Sequence, residues 1–125
     1  MKKLAISIFL LLSLTFLLGQ QRGENFTFEF DGVVMDGVLN LPERSPPRGI
    51  ILIVQGSGRT NAVAGNAYGD VREAITAAGY GTYIWDKMGC GNSGGVFDYH
   101  QTVSNSADEA IAAIETLREK RVPGA

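Results

Sequence analysis

Residues 50–58 read Ile-Ile-Leu-Ile-Val-Gln-Gly-Ser-Gly. Ile50 to Val54 is unbroken by any polar residue and rich in β-branched side chains, which predicts a strand buried on both faces. Gln55-Gly-Ser-Gly-Arg-Thr60 follows at once as a glycine-rich loop. Beyond it, Tyr68, Val71, Ala74, Ile75 and Ala78 recur at helical spacing, and Gly79 stands where a helix C-cap glycine belongs. Tyr80-Gly-Thr-Tyr-Ile-Trp85 then reads as a second strand, ended by Asp86. A strand–helix–strand unit of this kind implies a parallel pair with a right-handed crossover. The fold class is therefore α/β with a parallel sheet.

On the N-terminal side, Phe26-Thr-Phe-Glu-Phe-Asp31 alternates apolar and polar residues as a half-buried strand does. Asp31-Gly32 is a turn signal and Val34 to Leu41 offers a partner strand, so a β-hairpin is expected. Pro42 to Pro47 forms a rigid connector. On the C-terminal side, Val103, Ala107, Ala110, Ile111, Ile114 and Leu117 mark an apolar stripe on a further helix. Ser106 and Glu109 have the spacing of a capping box, whereas Val103 argues for a start one turn earlier. Pro123-Gly124 stops this helix. The order is hairpin, then strand, helix, strand, helix. That order leaves the sheet incomplete, with Ile50 to Val54 exposing an edge unless another element covers it.

The chain opens with Met-Lys-Lys and an apolar run from Leu4 to Leu18. Basic residues before such a run describe a secretory signal peptide over 1–19, since a membrane span usually needs about 20 apolar residues. An uncleaved anchor is the alternative. Cleavage near Gly19 would leave a domain over 20–125, exported to the periplasm or the extracellular space, with no stable membrane span. That segment carries 9 basic and 13 acidic side chains, without a Lys/Arg cluster, so nucleic acid is not an expected partner. Cys90 is the only cysteine and His100 the only histidine, which excludes an internal disulfide and a His-cluster metal site. No metal or other cofactor is expected.

Residues 89–95, Gly-Cys-Gly-Asn-Ser-Gly-Gly, match two patterns at once. Gly89, Gly91 and Gly94 satisfy the dinucleotide fingerprint, which needs a helix opening at the third glycine. Gly91, Ser93 and Gly95 satisfy the nucleophile elbow, which needs a tight strand-to-helix turn at the serine. Val96 to Gln101 shows neither a helical period nor a cap, so both contexts fail. His100 lies in the same loop as Ser93 and makes a poor triad partner. Cys90 has no basic neighbour nearer than Lys87 to activate it as a nucleophile. A turn is the expected role of the whole stretch, and no catalytic residue is expected in this chain.

Three segments, read in order, resemble the N-terminal half of an α/β-hydrolase-fold enzyme. Gly37-Val-Leu-Asn-Leu-Pro42 resembles the end of that family's second strand. Ile51-Leu-Ile-Val-Gln-Gly-Ser-Gly58 resembles its third strand and the V-H-G-S-G loop, and Trp85-Asp-Lys-Met-Gly-Cys-Gly-Asn-Ser93 the D-x-R-G-x-G-x-S loop after its fourth. The nearest group is the secreted esterases, lysophospholipases and serine-aminopeptidase-like hydrolases. Gln55 replaces the usual His and Met88 the usual Arg. The resemblance implies an ester or amide hydrolase acting on a small-molecule ester or peptide. Its Ser-His-acid triad is expected downstream of residue 125, which leaves this chain inactive by itself. It also implies that Ser57 or Gly58 donates a backbone N–H to an oxyanion hole, with Gly56 allowing close approach. A plain strand-to-helix turn is the alternative for Gly56-Ser57-Gly58. For the chain as a whole, a non-catalytic secreted binding module and a nucleotide-binding oxidoreductase domain stay open.

Overall fold

The computed structural model describes residues 23–125. The signal peptide expected over 1–19 lies outside the described residues. Among these there are six strands, β1 (Glu24–Asn25), β2 (Phe28–Phe30), β3 (Val33–Met35), β4 (Gly37–Asn40), β5 (Ile50–Leu52) and β6 (Gly81–Trp85). Two helices accompany them, α1 (Gly69–Ala77) between β5 and β6, and α2 (Thr102–Glu119) after β6.

The main sheet has the order β1-β4-β6-β5. β5 runs parallel to β6, with Ile50 opposite Gly81, while β4 runs antiparallel to β6 and to β1. The parallel pair expected from residues 50–85 is therefore present, and β5 stands at the sheet edge. Being at the edge has a cost for burial: Ile51 is 39% exposed and Val54 52% exposed. The expectation of a strand buried on both faces fails here, because the apolar run faces open surface beside the unpaired edge.

The hairpin forms around Asp31-Gly32, but its second strand divides at Asp36. β3 pairs with β2 in a separate two-stranded sheet, and β4 joins the main sheet. Asp36 makes the division: its N–H donates to Ser93 Oγ (2.9 Å), and its carbonyl accepts from the Asp86 N–H (2.8 Å).

β6 is buried along its whole length and separates two unlike faces. Tyr83 and Trp85 point to one side, where they meet Phe28, Met35, Leu39, Ala113 and Leu117. The Tyr83 and Trp85 rings stack at 6.0 Å, with Phe28 edge-on to both. The Tyr83 hydroxyl donates to the Phe26 carbonyl (2.8 Å), and burial, followed by the Asp36 charge, pushes its pKa far above the ordinary range. Thr82, opposite Asn40 in the register, belongs to the other face, which α1 covers.

That second face sets Thr82 and Asn40 beside buried Ile84, and it corrects the reading of α1. Arg72 and Thr76 are the buried residues of the helix, while Tyr68 and Val71 are half exposed. The Arg72 guanidinium donates to Asn40 Oδ1 (2.9 Å), to the Ala67 carbonyl (3.1 Å) and to Asn66 Oδ1. Burial lowers its pKa. Gly79 does end the turn as expected, with φ +91° and its N–H on the Thr76 carbonyl.

α2 is corrected in the same way. It starts at Thr102 and buries Thr102, Ser106, Glu109, Ala113 and Leu117, whereas Val103 is 76% and Ile111 55% exposed. Glu109 makes no capping box with Ser106. Its carboxylate instead accepts the Trp85 indole N–H (2.7 Å) and the Met88 N–H (3.1 Å).

Candidate active site

Two glycine-rich loops leave the carboxyl ends of β5 and β6, the place where ligands bind in open parallel sheets. The loop after β6 is tied down from several directions. Asp86, fully buried, accepts N–H groups from Ala62 (2.6 Å), Val63 (3.1 Å) and Asn92 (3.3 Å). Gly91 has φ +50°, and a Cβ there would run into the Asp86 carboxylate, so this position requires glycine twice over. Ser93 is buried, and its hydroxyl donates to the Asp86 carbonyl (2.5 Å) while accepting from the Asp36 N–H. Gly89 and Gly94 close the loop with a backbone bond of 2.8 Å.

This geometry decides between the two patterns that overlap at residues 89–95. α2 opens only at Thr102, so neither Gly94 nor Ser93 lies at a helix N-terminus. The Ser93 hydroxyl is held inside the protein between two backbone partners. Cys90 is also buried, in a turn in which its N–H meets the Lys87 carbonyl (2.8 Å). His100 is exposed. These side chains do not converge on a common point.

The loop after β5 has the opposite character. Gln55 is buried and its Nε2 donates to the Trp85 carbonyl, which ties the ends of the two parallel strands together. Its Oε1 has no partner among the described residues. Gly56, Ser57 and Gly58 are all exposed, yet their carbonyls are engaged. Lys87 Nζ donates to Gly56 O and Gly58 O, and Thr102 Oγ1 donates to Ser57 O (3.1 Å). In a trans peptide the N–H points away from the carbonyl of the same plane. Three consecutive planes are thereby set with their oxygens on protein donors and the N–H groups of Ser57, Gly58 and Arg59 on the opposite side. No described residue accepts from those three N–H groups.

Lys87 and Thr102 are the residues that reading the sequence missed. Neither carries a periodic or motif signal, since each acts on a loop 29 to 45 positions away. Glu109 was legible only as a capping residue. Burial pushes its carboxyl pKa above the usual range, against the hydrogen bonds from Trp85 and Met88 and the charge of Lys87. Among the described residues no cluster of His, Cys, Asp and Glu has the arrangement of a metal site.

The strand order, the parallel β5–α1–β6 unit and the paired loops at its carboxyl end define the N-terminal portion of an α/β-hydrolase fold. Residues 45–125 match the family model for serine aminopeptidase, S33, and the chain belongs to that family. Solved structures agree on the fold. DcsB in complex with its substrate analogue superposes with a TM-score of 0.62 at 17% identity, over 82% of this chain and 33% of that one. Est1E from Butyrivibrio proteoclasticus, bound to ferulic acid, gives 0.58 at 22% identity, over 74% and 36%. A soluble variant of monoglyceride lipase from Saccharomyces cerevisiae, in complex with a substrate analogue, gives 0.55 at 18%, over 85% and 34%. The chain thus spans about a third of the length of these structures. No curated protein matches its sequence.

Proposed function

We propose that this chain is the N-terminal part of an exported α/β hydrolase that cleaves ester or amide bonds of small molecules or peptides. The observation that carries the reading is the run of unpaired N–H groups at Ser57, Gly58 and Arg59, whose peptide carbonyls are held by Lys87 and Thr102. Such a row, preorganised beside the ends of parallel strands, suits the developing oxyanion of acyl transfer, where one donor is worth roughly 3 kcal/mol. In the complete enzyme a serine hydroxyl attacks the substrate carbonyl and a histidine accepts its proton. The carbonyl oxygen becomes an oxyanion against these donors, and its collapse expels the alcohol or amine with a proton from the same histidine. The serine, histidine and acid lie downstream of Ala125 in this reading. The family match, the one-third coverage of related folds and the unpaired edge of β5 support it.

The test is expression of the protein with its continuing coding sequence. The complete protein should react covalently with a fluorophosphonate and hydrolyse an aryl ester or an aminoacyl anilide, while the 125-residue chain should do neither. A complete protein inert toward all three reagents would sink the proposal. N-terminal sequencing of the exported product should begin just after Gly19; a retained Met1 would reject the cleaved signal peptide.

A further inference from the structure

Lys87 is 3% exposed although it sits in a loop. Burying an ammonium costs several kcal/mol unless its donors are answered. Here the answer comes from backbone oxygens of the neighbouring loop, Gly56 O and Gly58 O. The Phe97 ring lies 5.6 Å from Nζ and adds its π face. Among the described residues no carboxylate pairs with Lys87 directly, and Glu109 acts on it through space.

Holding two carbonyls on one nitrogen has a geometrical result. It fixes the peptide planes Gly56–Ser57 and Gly58–Arg59, and with them the direction of the Ser57 and Arg59 N–H groups. It also has an electronic one. An amide whose oxygen accepts from a cation is polarised and becomes a stronger donor at its nitrogen. Two of the three ammonium donors are committed to these carbonyls, so Lys87 acts on the amides it orients.

We infer that Lys87 is a positioning residue for the oxyanion donors, aiming and polarising the N–H groups of Ser57 and Arg59. The inference rests on the oxyanion reading of this loop. The test uses the complete protein and the variants Lys87→Met and Lys87→Gln. Folded Lys87→Met should keep KM for an aryl ester within about 3-fold and lose at least ~10-fold in kcat, with a parallel loss of affinity for a boronic acid that mimics the tetrahedral adduct. Its Ser57 and Arg59 amide resonances should shift in a ¹⁵N spectrum. Lys87→Gln, which keeps an N–H donor, should recover part of the kcat loss.

Wild-type kcat and boronate affinity in folded Lys87→Met, with unmoved Ser57 and Arg59 resonances, would overturn the inference while leaving the hydrolase reading intact. A loss confined to KM would overturn it equally. Should Lys87→Met not fold, Lys87→Gln decides by the same readouts. A wild type that hydrolyses nothing would overturn the functional reading and this inference with it.

Discussion

The loops Gln55–Thr60 and Asp86–Gly95 leave adjacent parallel strands and are both rich in glycine, yet the protein treats them oppositely. In the second, Asn92 and Ser93 are turned inward onto Asp86 and Asp36, and buried side chains hold the loop in place. In the first, carbonyls are consumed and N–H groups are left over. A loop bound through a buried carboxylate and a buried hydroxyl is a fastener. One whose carbonyls are held and whose consecutive N–H groups are unpaired can bind an anion, and that contrast, rather than the motif match, separates the two.

The sharpest way to break the contrast is Asp86→Ala. It strips the acceptor from three backbone N–H groups, one of them on buried Ala62. We expect a loss of about 3–5 kcal/mol in urea unfolding; a loss under about 1 kcal/mol would show that the second loop is not fastened as described. Glu109→Ala comes next, since it orphans the Trp85 indole and the Met88 N–H, at about 2–4 kcal/mol.

Glu109 also gives the contrast a pH signature. Its folded pKa is raised by burial, so the folded state holds a proton that the unfolded chain has released. Stability from this group is full below the unfolded carboxylate value and falls as pH rises through the raised folded value. Glu109→Gln should flatten that fall relative to wild type, as read from unfolding midpoints across the acidic range. An unchanged profile would contradict the burial of the charge.

Ser93→Ala has a smaller expected effect, about 1–3 kcal/mol, because it leaves the Asp36 N–H unpaired. The hydrolase activity proposed for the complete protein should stay, per folded molecule, at the wild-type level; its abolition would assign Ser93 the role of nucleophile. Ser57→Ala should be the mildest, within about 0.5 kcal/mol, since the exposed side chain is dispensable and the N–H is retained. A large loss of stability there would mean that the first loop is fastened too.

How far these features could be read in advance depends on their range. The strand at residues 50–52, the helix that follows and the strand at 81–85 rest on local periodicity, and they were legible. The faces the helices bury were not. Tyr68, Val71, Val103 and Ile111 have the right spacing but lie exposed, because α1 turns Arg72 onto Asn40 of the sheet and α2 turns Thr102 and Glu109 onto the loops. Periodicity reports that a stripe exists, and only the packing partner decides whether it is the stripe that is buried. The candidate Gly56-Ser57-Gly58 came from the resemblance to the hydrolase family's loop after its third strand, whereas Lys87 was visible only as the nearest cation to Cys90.

The sequence by itself carried the motifs that resemble the hydrolase family, and it determined the alternation of strands, helices and glycine-rich loops. These follow from local propensity and from spacing along the chain. Tertiary structure alone decided which hydroxyls and amides are spent and which remain free. Ser93 meets Asp36 across 57 residues, Lys87 meets Gly56 across 31, and the satisfaction of a buried polar group depends on such distant partners.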